Sequence, residues 1–103
     1  MDGKVLYEVS ATVQPQLVAK YERYMLERHI PDVLASGCFL GASLLKAGDG
    51  RYRIVYSVSG EEVLRQYLDE HAPALRADFA HHFPTGVELS RENWSVLRTW
   101  NAG

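Results

Sequence analysis

The 103-residue chain predicts a single α+β domain of order β-α-β-β-α-β, and three observations point there. Apolar residues alternate with a period of two, then recur with helical spacing, then alternate again, and this succession occurs twice. Glycines and prolines fall where the period changes. Area scaling lets a chain of this size bury about 65% of its surface, enough for one core without disulfide or metal staples.

Residues 4–13 put Val5, Tyr7, Val9, Ala11 and Val13 on one side and Leu6, Glu8, Ser10 and Thr12 on the other, as a half-buried strand requires. Pro15 then suits a first helical position, where no amide donor is needed. Over residues 16–28, Leu17, Val18, Tyr21, Tyr24 and Met25 form a helical stripe. Pro31 is expected to interrupt that helix and Gly37 to stop it.

Residues 38–46 predict a second strand, Gly48-Asp49-Gly50 a hairpin turn, and residues 51–59 a third strand with Tyr52, Ile54, Tyr56 and Val58 on one face. Ser59 and Glu62 have the spacing of a capping box for the second helix. Its stripe of Val63, Leu64, Tyr67, Leu68 and His71 breaks at Pro73 and resumes with Leu75 and Phe79. Residues 87–100 predict the fourth strand, well beyond the usual five or six or so residues. Its apolar residues change parity from Val87 and Leu89 to Trp94, Val96 and Trp100, which predicts a bulge or break near residues 90–93. The order is ferredoxin-like: a four-stranded antiparallel sheet with two kinked helices on one face.

Composition narrows the function classes. Eleven basic against thirteen acidic side chains give a net charge of -2, so a phosphate backbone is not the expected partner. RNA-recognition domains share this strand order, but they need stacking aromatics on the open sheet face. Tyr52 and Tyr56 instead share parity with Ile54 and Val58, facing the helices. No apolar run approaches the ~18 residues of a membrane span, so no membrane partner is expected. The single cysteine, Cys38, cannot form an internal disulfide, which points to a reducing, cytoplasmic location. No cofactor is expected.

The two halves echo one another. An offset of 42 carries Arg23 to Arg65, Leu26 to Leu68, His29 to His71 and Pro31 to Pro73. Each histidine has two readings. As an active-site group, an imidazole that titrates near neutrality moves protons; as a cap, it donates to free carbonyls at a helix C-terminus. The two helices run antiparallel, so His29 and His71 are expected about 20 Å apart and not in one site. Duplicated placement favours capping. On the active-site reading, His29 with Asp32 is the catalytic candidate pair, and Tyr7, Cys38, Tyr56 and His71 are candidates for the ligand-binding wall. His81-His82 looks metal-like, but adjacent helical residues point different ways and no second cysteine or His-x-x-x-His accompanies them, so no metal site is expected.

The segment His29-Ile30-Pro31-Asp32-Val33-Leu34-Ala35-Ser36-Gly37-Cys38-Phe39, with the later Tyr67-Leu68-Asp69-Glu70-His71-Ala72-Pro73, resembles a family of short bacterial proteins known only as a domain of unknown function. The likeness runs over residues 7–97. That family looks related to the dimeric α/β-barrel group, which includes antibiotic-biosynthesis-type monooxygenases, chlorite-dismutase-like proteins and stress-response barrels. The resemblance implies protomers paired sheet to sheet as a dimeric α/β barrel, and it brings no established catalytic residues. The open sheet face fits such pairing, because Leu6, Phe39, Leu45, Val55 and Leu97 mix there with Glu8, Ser10, Ser43 and Ser57. Two functions are therefore expected: a homodimer binding a small molecule between sheet and helices, with cofactor-independent enzyme chemistry open to it, or a non-catalytic interaction module with structural histidines. A closed cavity with convergent polar groups favours the first and a filled interior the second.

Overall fold

In the computed structural model, which describes residues 3–103, four strands make one antiparallel sheet. They are β1 (Val5–Val13), β2 (Gly41–Lys46), β3 (Arg51–Val58) and β4 (Val87–Ser95), in the spatial order β2-β3-β1-β4. The ferredoxin-like α+β architecture expected from the periodicity is the one observed. Tyr7, Ala11, Val13, Tyr52, Ile54, Tyr56 and Val58 are buried on the face that carries the helices, as alternation requires.

The first helical layer begins with a short 3₁₀ turn at Pro15–Leu17 and continues as α1 (Val18–Tyr24). Pro31 does not break it. Met25–His29 widen into a π turn and α2 (Ile30–Leu34) follows directly, with Ile30 still helical at φ -64°, ψ -44°. A proline inside a helix lacks a donor and its ring presses on the carbonyl four residues back. Opening the preceding turn relieves that pressure without leaving the helix, at the cost of a wider ring of atoms. The second layer is α3 (Glu61–Glu70) and α4 (Ala72–His82), kinked at His71, whose backbone N–H closes the last turn of α3 on the Tyr67 carbonyl at 2.9 Å.

Four local expectations need correction. Gly60, not Ser59, occupies the N-cap of α3 and no side chain caps it, so the Ser59–Glu62 spacing is one residue out of step; Glu61 and Glu62 in the first turn suit the helix dipole instead. β2 starts at Gly41, because Cys38 and Phe39 turn inward against the core while the Leu40 N–H reaches the Ser57 carbonyl at 2.8 Å. β4 contains no bulge: its pairing with β1 is unbroken from Val5 opposite Ser95 to Val13 opposite Val87. The parity change has a plainer cause, since Val87 and Leu89 face the helices and Trp94 faces the open side of the sheet. The strand also ends at Ser95, with one further bond from the Val96 N–H to the Lys4 carbonyl at 2.9 Å.

The turn into β3 is held by Gly50. Its φ is +79°, and a Cβ there would lie 2.5 Å from the Val13 carbonyl oxygen, so only glycine fits. Its own carbonyl accepts from the Val13 N–H at 2.7 Å, tying the hairpin to the end of β1.

Candidate functional site

Between the sheet and the helices lies a cavity of about 210 Å³. Its floor comes from the inward residues of three strands, among them Tyr7, Ile54, Tyr56 and Leu89; its walls come from Tyr21, Met25 and His29 of the first helical layer and from Tyr67 and Phe79 of the second. Strand alternation puts Tyr7 and Tyr56 side by side, because they are cross-strand partners with ring centroids 5.9 Å apart. The interior is therefore largely aromatic, with a few polar groups directed into it.

Tyr21 is fully buried (0% exposed), and its hydroxyl has no hydrogen-bond partner among the described residues. Buried hydroxyls are almost always satisfied, because leaving one unpaired costs about 1–3 kcal/mol. Arg76, from α4, donates from Nη2 to the Tyr7 hydroxyl at 3.1 Å. Arg91, from β4, shares the helix-facing parity of Val87 and Leu89 and also lines the cavity. Burial pushes the Tyr21 and Tyr56 phenols up and raises Tyr67 to about 12, so all three are neutral donors at pH 7.

His29 stands in the cavity wall, its ring 5.7 Å from that of Tyr24 and 5.6 Å from that of Phe79. Burial holds its pKa below the ordinary imidazole value; the carboxylates of Asp32 and Asp78 pull the other way and Arg91 adds to the depression. The neutral ring is the form that accepts a proton. The π turn decides this placement, because it adds one residue to the turn that carries His29 into the wall.

The structure brings together some predicted residues and separates others. Tyr7, Tyr56 and His29 share the cavity. Asp32 is exposed at the start of α2 and reaches His29 only through its charge. Cys38 is buried outside the lining, its Sγ 3.9 Å from the Ser36 carbonyl oxygen. His71 stacks on Tyr67 at 6.2 Å, also outside the lining, so the two echoed histidines occupy different environments. The His82 Nδ1–H donates to the Asp78 carbonyl at 2.9 Å, while His81 lies edge-on to it. Among the described residues no three His, Cys, Asp or Glu side chains converge as metal ligands, and no helix is long and apolar enough to cross a membrane.

Sequence reasoning missed Tyr21, Arg76 and Arg91 as site residues. A signal existed for Arg91: without the supposed bulge, its odd number places it on the same face as Leu89. Arg76 follows Leu75 and precedes Phe79 by three, on the edge of the helical stripe.

A four-stranded sheet covered on one face by two helical layers, with a mostly aromatic cavity between them, defines a ferredoxin-like domain with an interior site. The chain belongs to the DUF4286 family, a domain of unknown function, which it matches over residues 4–96. No curated protein matches its sequence. Its fold is similar to that of SnoaB, a cofactor-independent oxygenase from Streptomyces nogalater, with TM-score 0.70 and 14% identity over 94% of this chain and 96% of that one. It is also similar to MhuD, a heme-degrader from Mycobacterium tuberculosis, with TM-score 0.71 and 22% identity over 94% and 99%. A third likeness is to a putative antibiotic biosynthesis monooxygenase from Caulobacter crescentus, with TM-score 0.67 and 19% identity over 94% and 92%.

Proposed function

We propose that the protein is a homodimer that binds a small molecule in the cavity between sheet and helices. The observation that carries this reading is the cavity of about 210 Å³, an aromatic interior with the Arg76 and Arg91 side chains among its lining. Tyr7, Tyr56 and His29 complete the wall, and the neutral imidazole of His29 is the group suited to accept a proton there. Asp32 biases that ring from outside through its charge, while Cys38 belongs to the core and His71 stacks on Tyr67.

The fold relative SnoaB is a cofactor-independent oxygenase, and chemistry without a cofactor suits this cavity. MhuD holds heme. The cavity here, about 210 Å³, is below the roughly 300–1,000 Å³ of sites for drug-sized ligands, and heme exceeds those ligands, so its binding is not part of this reading.

Dimerisation is supported by the open sheet face. Leu45 and Trp94 are about half exposed there, and Leu97 and Trp100 follow in the exposed segment after β4. Glu8 lies directly opposite Glu92 on the same face, its charge answered by Arg53 at 3.2 Å. An apolar surface with paired charges at its centre suits a self-complementary interface.

The test is a thermal-shift screen of small aromatic compounds against the wild type and Ala80→Phe, which places a ring at the cavity mouth. A ligand at about a hundred times its Kd stabilises the native state by about 2.7 kcal/mol, or several degrees for a domain of this size. Hits in the wild type that vanish in Ala80→Phe support the reading. A screen without hits, with dimers persisting, supports a non-catalytic interaction module instead.

A further inference from the structure

We infer that the ligand is an aromatic carboxylate, its ring held among the tyrosines and its carboxylate between Arg76 and Arg91. This rests on the small-molecule reading above and names the class of molecule.

The two guanidiniums reach the cavity from different elements, α4 and β4, and both act electrostatically on Tyr67. Neither forms an ion pair with a carboxylate among the described residues; Arg76 has only the neutral Tyr7 hydroxyl as a hydrogen-bond partner. Both guanidiniums belong to exposed residues at the rim of the cavity, and the Asp78 carboxylate of α4 is taken by Tyr24 and Arg28. Both cations act on Tyr67, so a single anion at that rim interacts favourably with each. The planar guanidinium fork matches a carboxylate's two oxygens.

The rest of the site sets the shape of the molecule. Tyr7, Tyr56 and Tyr67 present ring faces and edges with centroids about 6 Å apart, the spacing of offset and tilted aromatic contacts. A cavity of about 150 Å³ accepts benzene, so one of about 210 Å³ takes one ring or two fused rings. His29, kept neutral by burial, does not add a third cation to the mouth.

The experiment measures binding of 2-naphthoate and of its uncharged isostere 2-naphthamide by calorimetry. The proteins are the wild type, Arg76→Gln, Arg91→Gln and Arg23→Gln, the last removing an exposed charge of α1 away from the cavity. The acid is expected to bind the wild type on the order of tenfold more tightly than the amide, the size of a charge-assisted hydrogen bond. That preference is expected to fall in Arg76→Gln and Arg91→Gln, to persist in Arg23→Gln, and to weaken with added salt. Equal binding of acid and amide overturns the proposal and leaves the small-molecule reading standing, as does a preference that survives both cavity substitutions or disappears in Arg23→Gln. If neither probe binds the wild type at saturation, the carboxylate proposal is overturned, and the screen above decides the broader reading independently.

Discussion

Tyr24 of α1 donates its hydroxyl to Asp78 of α4 across 2.6 Å, a bond between residues 54 positions apart. It is a polar tie between the two helical layers, and Arg28 holds the other oxygen of the same carboxylate at 2.8 Å. Tyr24→Phe is expected to lower stability by about 1 kcal/mol, the net value of a buried hydroxyl's hydrogen bond. Arg28→Gln is expected to cost less, because that side chain is half exposed and its ion pair is screened. Urea midpoints of the two variants, at unchanged slope, check the order.

His29 gives a pH dependence with a definite sign. Burial holds its folded pKa below the ordinary 6.5, so between the two values the unfolded chain binds more protons than the folded one. Its contribution is fully present above about pH 6.5 and is lost progressively as the pH falls toward the folded value. Stability curves of wild type and His29→Gln from pH 8 to 5 are expected to differ in slope, the variant being flatter. Parallel curves would place the ring in water, against the wall position described here.

The contrast between His29 and His71 shows how much was legible from the residues. Alternation and helical spacing located all four strands and both helical layers, because core-facing periodicity is a local property. The echo between the histidines was legible too, but not that one enters a cavity and the other stacks on Tyr67, since that depends on how α1 and α3 meet the sheet. Arg91 was obscured for a related reason. Trp94 and Leu89 seemed to demand a bulge only while a single buried face was assumed, and the open face of the sheet accommodates the tryptophan directly. Ser59 failed as a cap because glycine at position 60 takes the extended N-cap conformation itself.

Gly50→Ala tests the hairpin. The added methyl would meet the Val13 carbonyl at 2.5 Å on a backbone with φ of +79°. A cost of about 1–3 kcal/mol is expected from the conformation alone, with more from the clash. Gly48→Ala, also at positive φ but facing open space, is expected to cost less; thermal unfolding of the pair separates clash from strain.

Tyr21→Phe is expected to leave stability unchanged or raise it slightly in the absence of ligand, because it removes a buried donor that has no partner. Chemical denaturation of wild type and variant checks the order.

Trp94 is 47% exposed on the open sheet face. Trp94→Asp is expected to convert a dimer into monomers of 11.6 kDa while far-ultraviolet circular dichroism keeps its native shape. Light scattering at micromolar concentration reads the change, and a wild type that is already monomeric would remove the paired-sheet arrangement.

One residue more or less in an uninterrupted helix turns everything beyond it by about 100°. The π turn at Met25–His29 is where this helix escapes that rule, because it already holds one residue more than an ordinary turn. Deleting Arg28 would let the turn close to α geometry and take up the loss, so that Pro31 and the rest of α2 keep their facing. A single-codon deletion can thus pass through this segment with the cavity-lining residues on the sheet left unchanged.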